Sequence, residues 1–148
     1  MNHEFLMDIT VGMPMKTINV NGEPYLERYF VCETADGTQL WLHRFLRNDS
    51  ERHLHAHPWK ARSRMLCGWY HEEREYGVTF RNMTDDEIYI TPDRLHRISA
   101  VEPNTWTLMV VEPERLPQWY FVNDQGEREY METSPRDWYN DCQPRAAA

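Results

Sequence analysis

RHLHAHPWKARSRMLCGWY, residues 52–70, places His53, His55 and His57 at every second position. In a β-strand, alternate side chains leave by the same face, so these imidazoles would share one side of the chain. The same alternation puts apolar or small residues on the histidine side and basic residues on the other. The first set is Trp59, Ala61, Ser63, Met65 and Cys67, and the second is Lys60, Arg62 and Arg64. We therefore predict a strand around His55 to Met65 whose histidines point into a core.

A row of imidazoles inside an apolar interior is costly unless each ring is hydrogen-bonded or binds a metal. Alternate residues of a strand lie roughly 6.5 to 7 Å apart at Cα, which lets two imidazoles share one ion. Imidazole is a common ligand of zinc, copper, iron and nickel. The stretch therefore predicts a metal site built on two or three of these histidines.

Turn signals recur at short intervals along the chain, with alternating runs between them, which is typical of all-β proteins. Asn21-Gly22 and Asp36-Gly37 favour tight hairpin turns, so residues 16–46 should form a three-stranded meander. Asn48-Asp49-Ser50 then precede the histidine strand, and a hairpin follows over residues 70–82. Further strands are predicted at Glu87–Thr91, His96–Val101, Trp106–Val111 and Gln118–Val122. Eight to ten short strands indicate a sandwich or barrel.

The C-terminal segment differs from the rest. Ser134-Pro135-Arg136-Asp137 resembles a helix start, and we expect one short helical turn that packs Trp138 and Tyr139 on the barrel. The last residues, QPRAAA, should fray. We expect a single domain over residues 1–148, with a core at about 16–123 and an extension at about 124–148.

Composition limits the partners. The net charge of −8, from 16 basic and 24 acidic residues, disfavours nucleic acid and anionic membranes. No apolar run approaches the roughly 20 residues of a membrane span, and the N-terminus has no basic region typical of a signal peptide. Cys32, Cys67 and Cys142 are an odd, widely spaced set, which favours reduced thiols and a cytoplasmic location.

Two motifs resemble those of the cupin superfamily. The first is a His-x-His pair followed by a Gly, and the distance from His57 to Gly68 fits it when His55 and His57 are the pair. The second is a Pro-containing turn followed by a histidine, which ITPDRLHRIS matches with Pro92 and His96. The chain is also similar to small bacterial and phage cupin-like proteins, mostly without assigned function. The shared pieces are LHRF at 42–45, LHAHPW at 54–59, GWY at 68–70, HRI at 96–98 and WTL at 106–108.

The resemblance implies a cupin-type jelly-roll β-barrel with a divalent metal ion on His55, His57 and His96. Iron(II) is favoured, and manganese, nickel and zinc remain alternatives. The motif's usual Glu falls at Ala61 or Arg62, so the ligand set is expected to be three histidines, as in thiol-dioxygenase-type cupins. Glu72 or Glu73 is an alternative source of a carboxylate. Cupins commonly form homodimers, and the face carrying Lys60, Arg62 and Arg64 could take part in protein interactions.

Other residues are candidates around the metal. His43 lies on the preceding strand and could orient a ligand or contact substrate, or be a half-buried histidine with a backbone partner. His53 is a fourth ligand or, as we favour, a polar loop residue. The pocket walls are predicted to be Trp59, Ser63, Tyr70 and Trp106.

The leading functional hypothesis is a mononuclear non-heme oxygenase or dioxygenase acting on a small molecule. The alternatives are a metal-dependent isomerase or lyase, and a non-catalytic module that binds a small ligand.

Overall fold

The computed structural model describes residues 1–48 and 53–148, so Asp49 and Ser50 of the predicted turn lie outside the described residues. The described chain is mainly β-structure, which confirms the predicted class. In chain order the elements are helix α1 His3–Ile9 and strands β1 Met15–Val20, β2 Glu23–Glu33, β3 Gln39–Phe45, β4 Trp59–Cys67, β5 Trp69–Arg74, β6 Gly77–Asn82, β7 Ile88–Ile90, β8 His96–Val101, β9 Thr105–Arg115, β10 Gln118–Val122 and β11 Arg128–Glu132. A single 3₁₀ turn follows at Trp138–Asp141.

Two antiparallel layers form the barrel. The first is a six-stranded sheet in the order β1-β2-β3-β9-β4-β7. The second contains β6-β5-β8 and the hairpin β10-β11. Residues 54–56 join these two parts, because His55 pairs with His96 on β8 and with Phe121 on β10. His55 thus bridges the two parts of the second layer.

The core lies between the two layers. One buried cluster combines residues of both: Tyr25, Leu26, Phe45 and Met65 from the first sheet, and Tyr70, Ile98 and Val101 from the second. A second cluster is built on Trp41, Trp59, Met109 and Trp138. A third lies on the outer face of the six-stranded sheet, where Leu6 of α1 covers Tyr29, Leu42 and Trp106.

The predicted meander is present as β1, β2 and β3. Asn21 and Gly22 both adopt positive φ, at 53° and 79°, which is the geometry of a two-residue hairpin turn. The connection at Gly37 is longer than predicted, because β2 ends at Glu33 and β3 begins only at Gln39. Asp36 closes this loop by accepting hydrogen bonds from Thr34 and Thr38.

The predicted start of the histidine strand is wrong. β4 begins at Trp59, whereas His55 belongs to the opposite layer. Pro58 explains the break, because proline has no N–H to donate and holds the preceding residue in an extended conformation. The chain crosses between layers here, and the predicted alternation resumes along β4, with Lys60, Arg62 and Arg64 exposed.

Some terminal structure was not predicted. Helix α1 is capped by Asn2, whose side chain accepts a hydrogen bond from the Phe5 N–H. Strand β11 pairs with β10 although its residues are exposed. The expected packing of Trp138 on the barrel is confirmed, but the expected fraying of the last residues is not. Residue 145 exchanges backbone hydrogen bonds with Gly12 and Met13 at 2.9 Å.

Gly68 joins β4 to β5 at a position where a side chain would not fit. Its φ is +81°, and an added Cβ would lie 2.9 Å from the backbone Cα of Thr105. Thr105 cannot withdraw easily, because its hydroxyl bonds the backbone of Trp69 and Glu102.

We predict that Gly68→Ala lowers the free energy of unfolding by about 2 to 4 kcal/mol, from left-handed strain plus the clash. Gly126→Ala is the matched control, since its φ is +80° but no atom lies within 4 Å of the added Cβ. It should cost only about 1 kcal/mol. Urea unfolding monitored by tryptophan fluorescence measures both variants, and equal losses would show that the contact with Thr105 is unimportant.

Candidate metal centre

His55, His57 and His96 converge on one point inside the barrel. Each offers a ligand nitrogen, and these atoms all lie within 4.8 Å of one another. The ring centroids are 5.1 Å apart for His55 and His57, 5.2 Å for His55 and His96, and 4.9 Å for His57 and His96. His55 and His96 form a backbone pair, each N–H donating to the other's carbonyl at 3.0 Å. Main-chain hydrogen bonds therefore bring the two sequence motifs together.

The donor set fits a metal ion. The Nε2 atoms of His57 and His96 are 2.8 Å apart. Two imidazole nitrogens bound at about 2.0 to 2.1 Å to one ion lie roughly 3 Å apart at a right angle, so these rings need little movement. Three imidazoles are a common ligand set for catalytic metals, which keep further positions open. The three histidines are positioned to bind a metal ion.

Hydrogen bonds at the other ring nitrogen select the tautomer of two of these histidines. His55 Nδ1 donates to the carbonyl of His53 at 3.2 Å, and His96 Nδ1 donates to Glu72 Oε1 at 2.9 Å. A neutral imidazole with its proton on Nδ1 has the lone pair on Nε2, where a metal can bind.

Glu72 is a buried carboxylate that supports His96. Its side chain is 1% exposed and also accepts hydrogen bonds from Arg74 at 2.9 Å and from Arg81 at 3.0 and 2.9 Å. Burial raises the pKa of Glu72, but the hydrogen bond and charge of His96 and the contacts of Arg74 outweigh it and lower the pKa to about 2. Glu72 is therefore ionised near neutral pH. Its contacts place it behind His96, rather than among the three converging donors.

His53 and His43 occupy different surroundings from the three converging histidines. His53 is partly exposed, stacks on Phe121 at 5.4 Å and lies 3.6 Å from Asp124. His43 is buried, and its Nε2 accepts a hydrogen bond from Arg28 Nε at 3.3 Å. Burial, together with the charge of Arg28, holds the pKa of His43 well below its usual value. His43 is therefore a neutral acceptor for Arg28.

A cavity of about 370 Å³ opens beside the three histidines, in the size range of small-molecule sites. Trp59, Ser63, Tyr70 and His43 are among the residues that line it. Burial, together with the charge of Glu72, raises the pKa of Tyr70, so this phenol remains protonated.

Trp106 was wrongly assigned to this cavity. It packs on the outer face of the sheet, where it stacks on Tyr29 and its Nε1 donates to His3 Nδ1 at 3.0 Å. Strand alternation gives the reason: Thr107 and Met109 of β9 face the cavity, so Trp106 must face away.

The sequence reasoning missed several cavity residues, and two of them lie close to the site's main features. Trp119 on β10 lies with its ring 6.2 Å from that of His55. Arg28 on β2 lines the cavity and lies over the ring of Trp41. A signal for Arg28 was present, because alternation places it on the same strand face as Leu26 and Phe30, where a charged residue is unexpected.

No protein-family model matches the chain, and no curated protein matches it in sequence. Solved structures do match in three dimensions. A cupin-2 domain from Rhodospirillum rubrum has a TM-score of 0.61 at 15% identity, covering 78% of each chain. A cupin 2 conserved barrel domain protein from Rhodopseudomonas palustris has a TM-score of 0.59 at 12% identity, covering 78% of this chain and 81% of that one. Iron(II) HppE has a TM-score of 0.54 at 12% identity, covering 67% of this chain and 56% of that one.

In the part of the chain that the structure describes, no helix is long and apolar enough to cross a membrane.

The similarity to solved cupins and the two-layered antiparallel barrel agree with each other. The chain has the cupin fold, and it brings three histidines together in a position to bind a metal ion.

Proposed function

We propose that this chain is a metal-dependent enzyme that acts on a small molecule in the cavity beside His55, His57 and His96. Iron(II) is the favoured ion, and oxygen-dependent oxidation is the favoured chemistry. The single observation that carries the proposal is the convergence of three imidazole donors within 4.8 Å at the wall of a cavity of about 370 Å³.

The ligand set supports a reactive rather than a purely structural metal. Structural zinc sites usually surround the ion with four protein ligands, whereas catalytic sites use three and leave a position open. When bound, an iron(II) ion on three neutral imidazoles would supply open coordination positions and one-electron chemistry with dioxygen. HppE, a solved structure with the same fold, holds iron(II), which is a further reason to test that metal first.

The residues that line the cavity favour oxidation over proton-transfer chemistry. Among the described lining residues there is no aspartate or glutamate. The Tyr70 hydroxyl stays protonated because of its raised pKa, and His43 is occupied by Arg28. An isomerase or lyase needs a group that removes a proton from its substrate, and these residues offer few candidates.

The chain's own groups would orient the metal ligands and exclude water. Glu72 and the carbonyl of His53 hold the rings of His96 and His55 in place. Trp59 lies 5.3 Å from the ring of His57, and Trp119 lies close to His55. Aromatic walls of this kind keep the space next to the histidines apolar, which strengthens electrostatic interactions inside it.

We predict that protein purified without chelator carries about one metal ion per chain, and that the double variant His55→Ala, His57→Ala carries almost none. Two of the three ligands are then missing, and one imidazole does not retain a divalent ion through purification. Elemental analysis by mass spectrometry measures the content. His53→Ala is the matched control from the same segment and should keep its metal.

Oxygen consumption then separates enzyme from binding module. The iron-loaded wild type should consume dioxygen with at least one substrate from a panel of small acids and thiols, and the double variant should not. Stoichiometric iron without oxygen consumption on any of them would favour a ligand-binding role. A wild type that binds no metal after reconstitution would contradict the proposal.

Glu72→Gln tests the support of His96. The amide keeps the shape, and its oxygen can still accept the Nδ1–H hydrogen bond, but it lacks the negative charge that strengthens this bond. We therefore expect metal affinity to fall by about 10- to 100-fold. Competition with a chromogenic chelator measures the affinity. Glu73→Gln is the matched control, because Glu73 is the adjacent acid and pairs instead with Arg97 at 2.9 Å. Equal affinities for the two variants would show that Glu72 does not act through His96.

A further inference from the structure

The described residues that line the cavity carry positive charge, whereas the whole protein is negatively charged. The chain carries a net charge of −8. Yet the cavity's described lining residues include two cations, Arg28 and Lys16, and no acid. Glu72, the buried acid that supports His96, is bound to Arg74, Arg81 and His96. A divalent ion on three neutral histidines would add two further positive charges that no described cavity residue neutralises.

Arg28 is held in a defined position by aromatic rings. Its guanidinium carbon lies 4.5 Å from the centroid of Trp41, 5.6 Å from Trp138 and 6.0 Å from Trp59. These distances are within the range of cation–π attraction. Three indole rings around one guanidinium also limit its rotation, so its position is prepared before any ligand enters.

His43 fixes the direction in which Arg28 presents its donors. The contact at 3.3 Å uses the Nε–H of Arg28, the donor on the inner edge of the guanidinium. A guanidinium has five N–H donors, and the four on the two Nη atoms form the fork that matches the two oxygens of a carboxylate. His43 is thus a positioning residue for Arg28, a role that differs from orienting a metal ligand.

We propose that Arg28, positioned by His43 and the ring of Trp41, is the binding site for the carboxylate of a small-molecule substrate. The inference rests on the proposed function, in that the same molecule would reach the metal on His55, His57 and His96. A carboxylate fits because one guanidinium fork neutralises one planar monoanion. Lys16 is a weaker candidate for this role, because it lies on the edge strand β1 and a lysine is a flexible point charge without a fork.

The test uses full-length protein loaded with zinc(II), which is redox-silent, and the same protein without metal. The probes are mono- and dicarboxylic acids of three to six carbons, plain or bearing a 2-hydroxyl, 2-oxo or thiol group. Each acid is paired with its uncharged amide, and inorganic phosphate is included. Thermal-shift screening finds the acids that bind, and calorimetry gives their dissociation constants. We expect at least one acid to bind about tenfold or more tightly than its amide, as a charge-assisted pair implies.

Arg28→Gln should abolish the preference for the acid over the amide while leaving the metal content unchanged. Arg28→Lys keeps a charge without the fork and should retain only part of the preference. Lys16→Gln is the matched control from the same cavity and should change the preference by less than about threefold. If Arg28→Gln unfolds, the Arg28→Lys variant and the acid–amide comparison in the wild type still decide the outcome.

The inference is wrong if no acid binds the wild type, if amides or phosphate bind as tightly as the acids, or if Arg28→Gln keeps the preference. The metal-free protein separates the two proposals. An acid preference that depends on Arg28 in protein unable to hold metal would keep the carboxylate site and reject the metal enzyme. Bound metal together with an acid preference that does not depend on Arg28 would keep the metal enzyme and reject the carboxylate site.

Discussion

The candidate site depends on one pair of backbone hydrogen bonds, between His55 and His96, each 3.0 Å long. His55 forms isolated β-bridges outside the named strands and His96 begins β8, so the two come from distant parts of the sequence. Main-chain pairing sets their separation and brings their side chains to one side. His57 follows two residues later, just before the chain crosses to the other layer at Pro58. Without this pairing, the main chain would not bring the three imidazoles together.

The charged groups near these histidines are distributed differently from those of the whole chain. Acidic groups dominate the whole chain, but the one fully buried glutamate, Glu72, among the described residues is enclosed by Arg74, Arg81 and His96. The described lining of the cavity is left with imidazoles and a guanidinium set against tryptophans. Buried charges are costly unless paired, and each of these is paired or stacked. The arrangement keeps the ligand nitrogens oriented, and it is the basis of the carboxylate site proposed at Arg28.

Much of this could be predicted from sequence, because strands and turns leave strong local signals. The meander, β8, β10 and the three histidines followed from alternation, tight-turn residues and two motifs. Alternation failed to predict where the histidine strand begins. Side-chain character alternates from His55 to Met65 without a break, yet the chain moves from one sheet to the other at Pro58. Trp106 was assigned to the wrong face because β9 carries apolar residues on both faces, such as Leu108 on one and Met109 on the other, and the local pattern cannot tell which face is inside.

Other features depend on tertiary contacts with no local signature. Glu72 lies in the charged run HEERE, which looks like a solvated surface, and only the pairing of β5 with β8 brings it to His96. Helix α1 is seven residues long, too short for a clear helical period, and forms because Leu6 is buried against Tyr29 and Trp106. Arg28 was visible as an odd residue on an apolar face, but its role required Trp138 from the far end of the chain.

The most direct test of the central claim is anomalous X-ray diffraction from crystals grown with iron(II) or zinc(II). The account predicts one anomalous peak per chain, at about 2.0 to 2.2 Å from a ring nitrogen of each of His55, His57 and His96. His96 should keep its hydrogen bond to Glu72. A peak at other residues, or no peak where these three histidines meet, would contradict it.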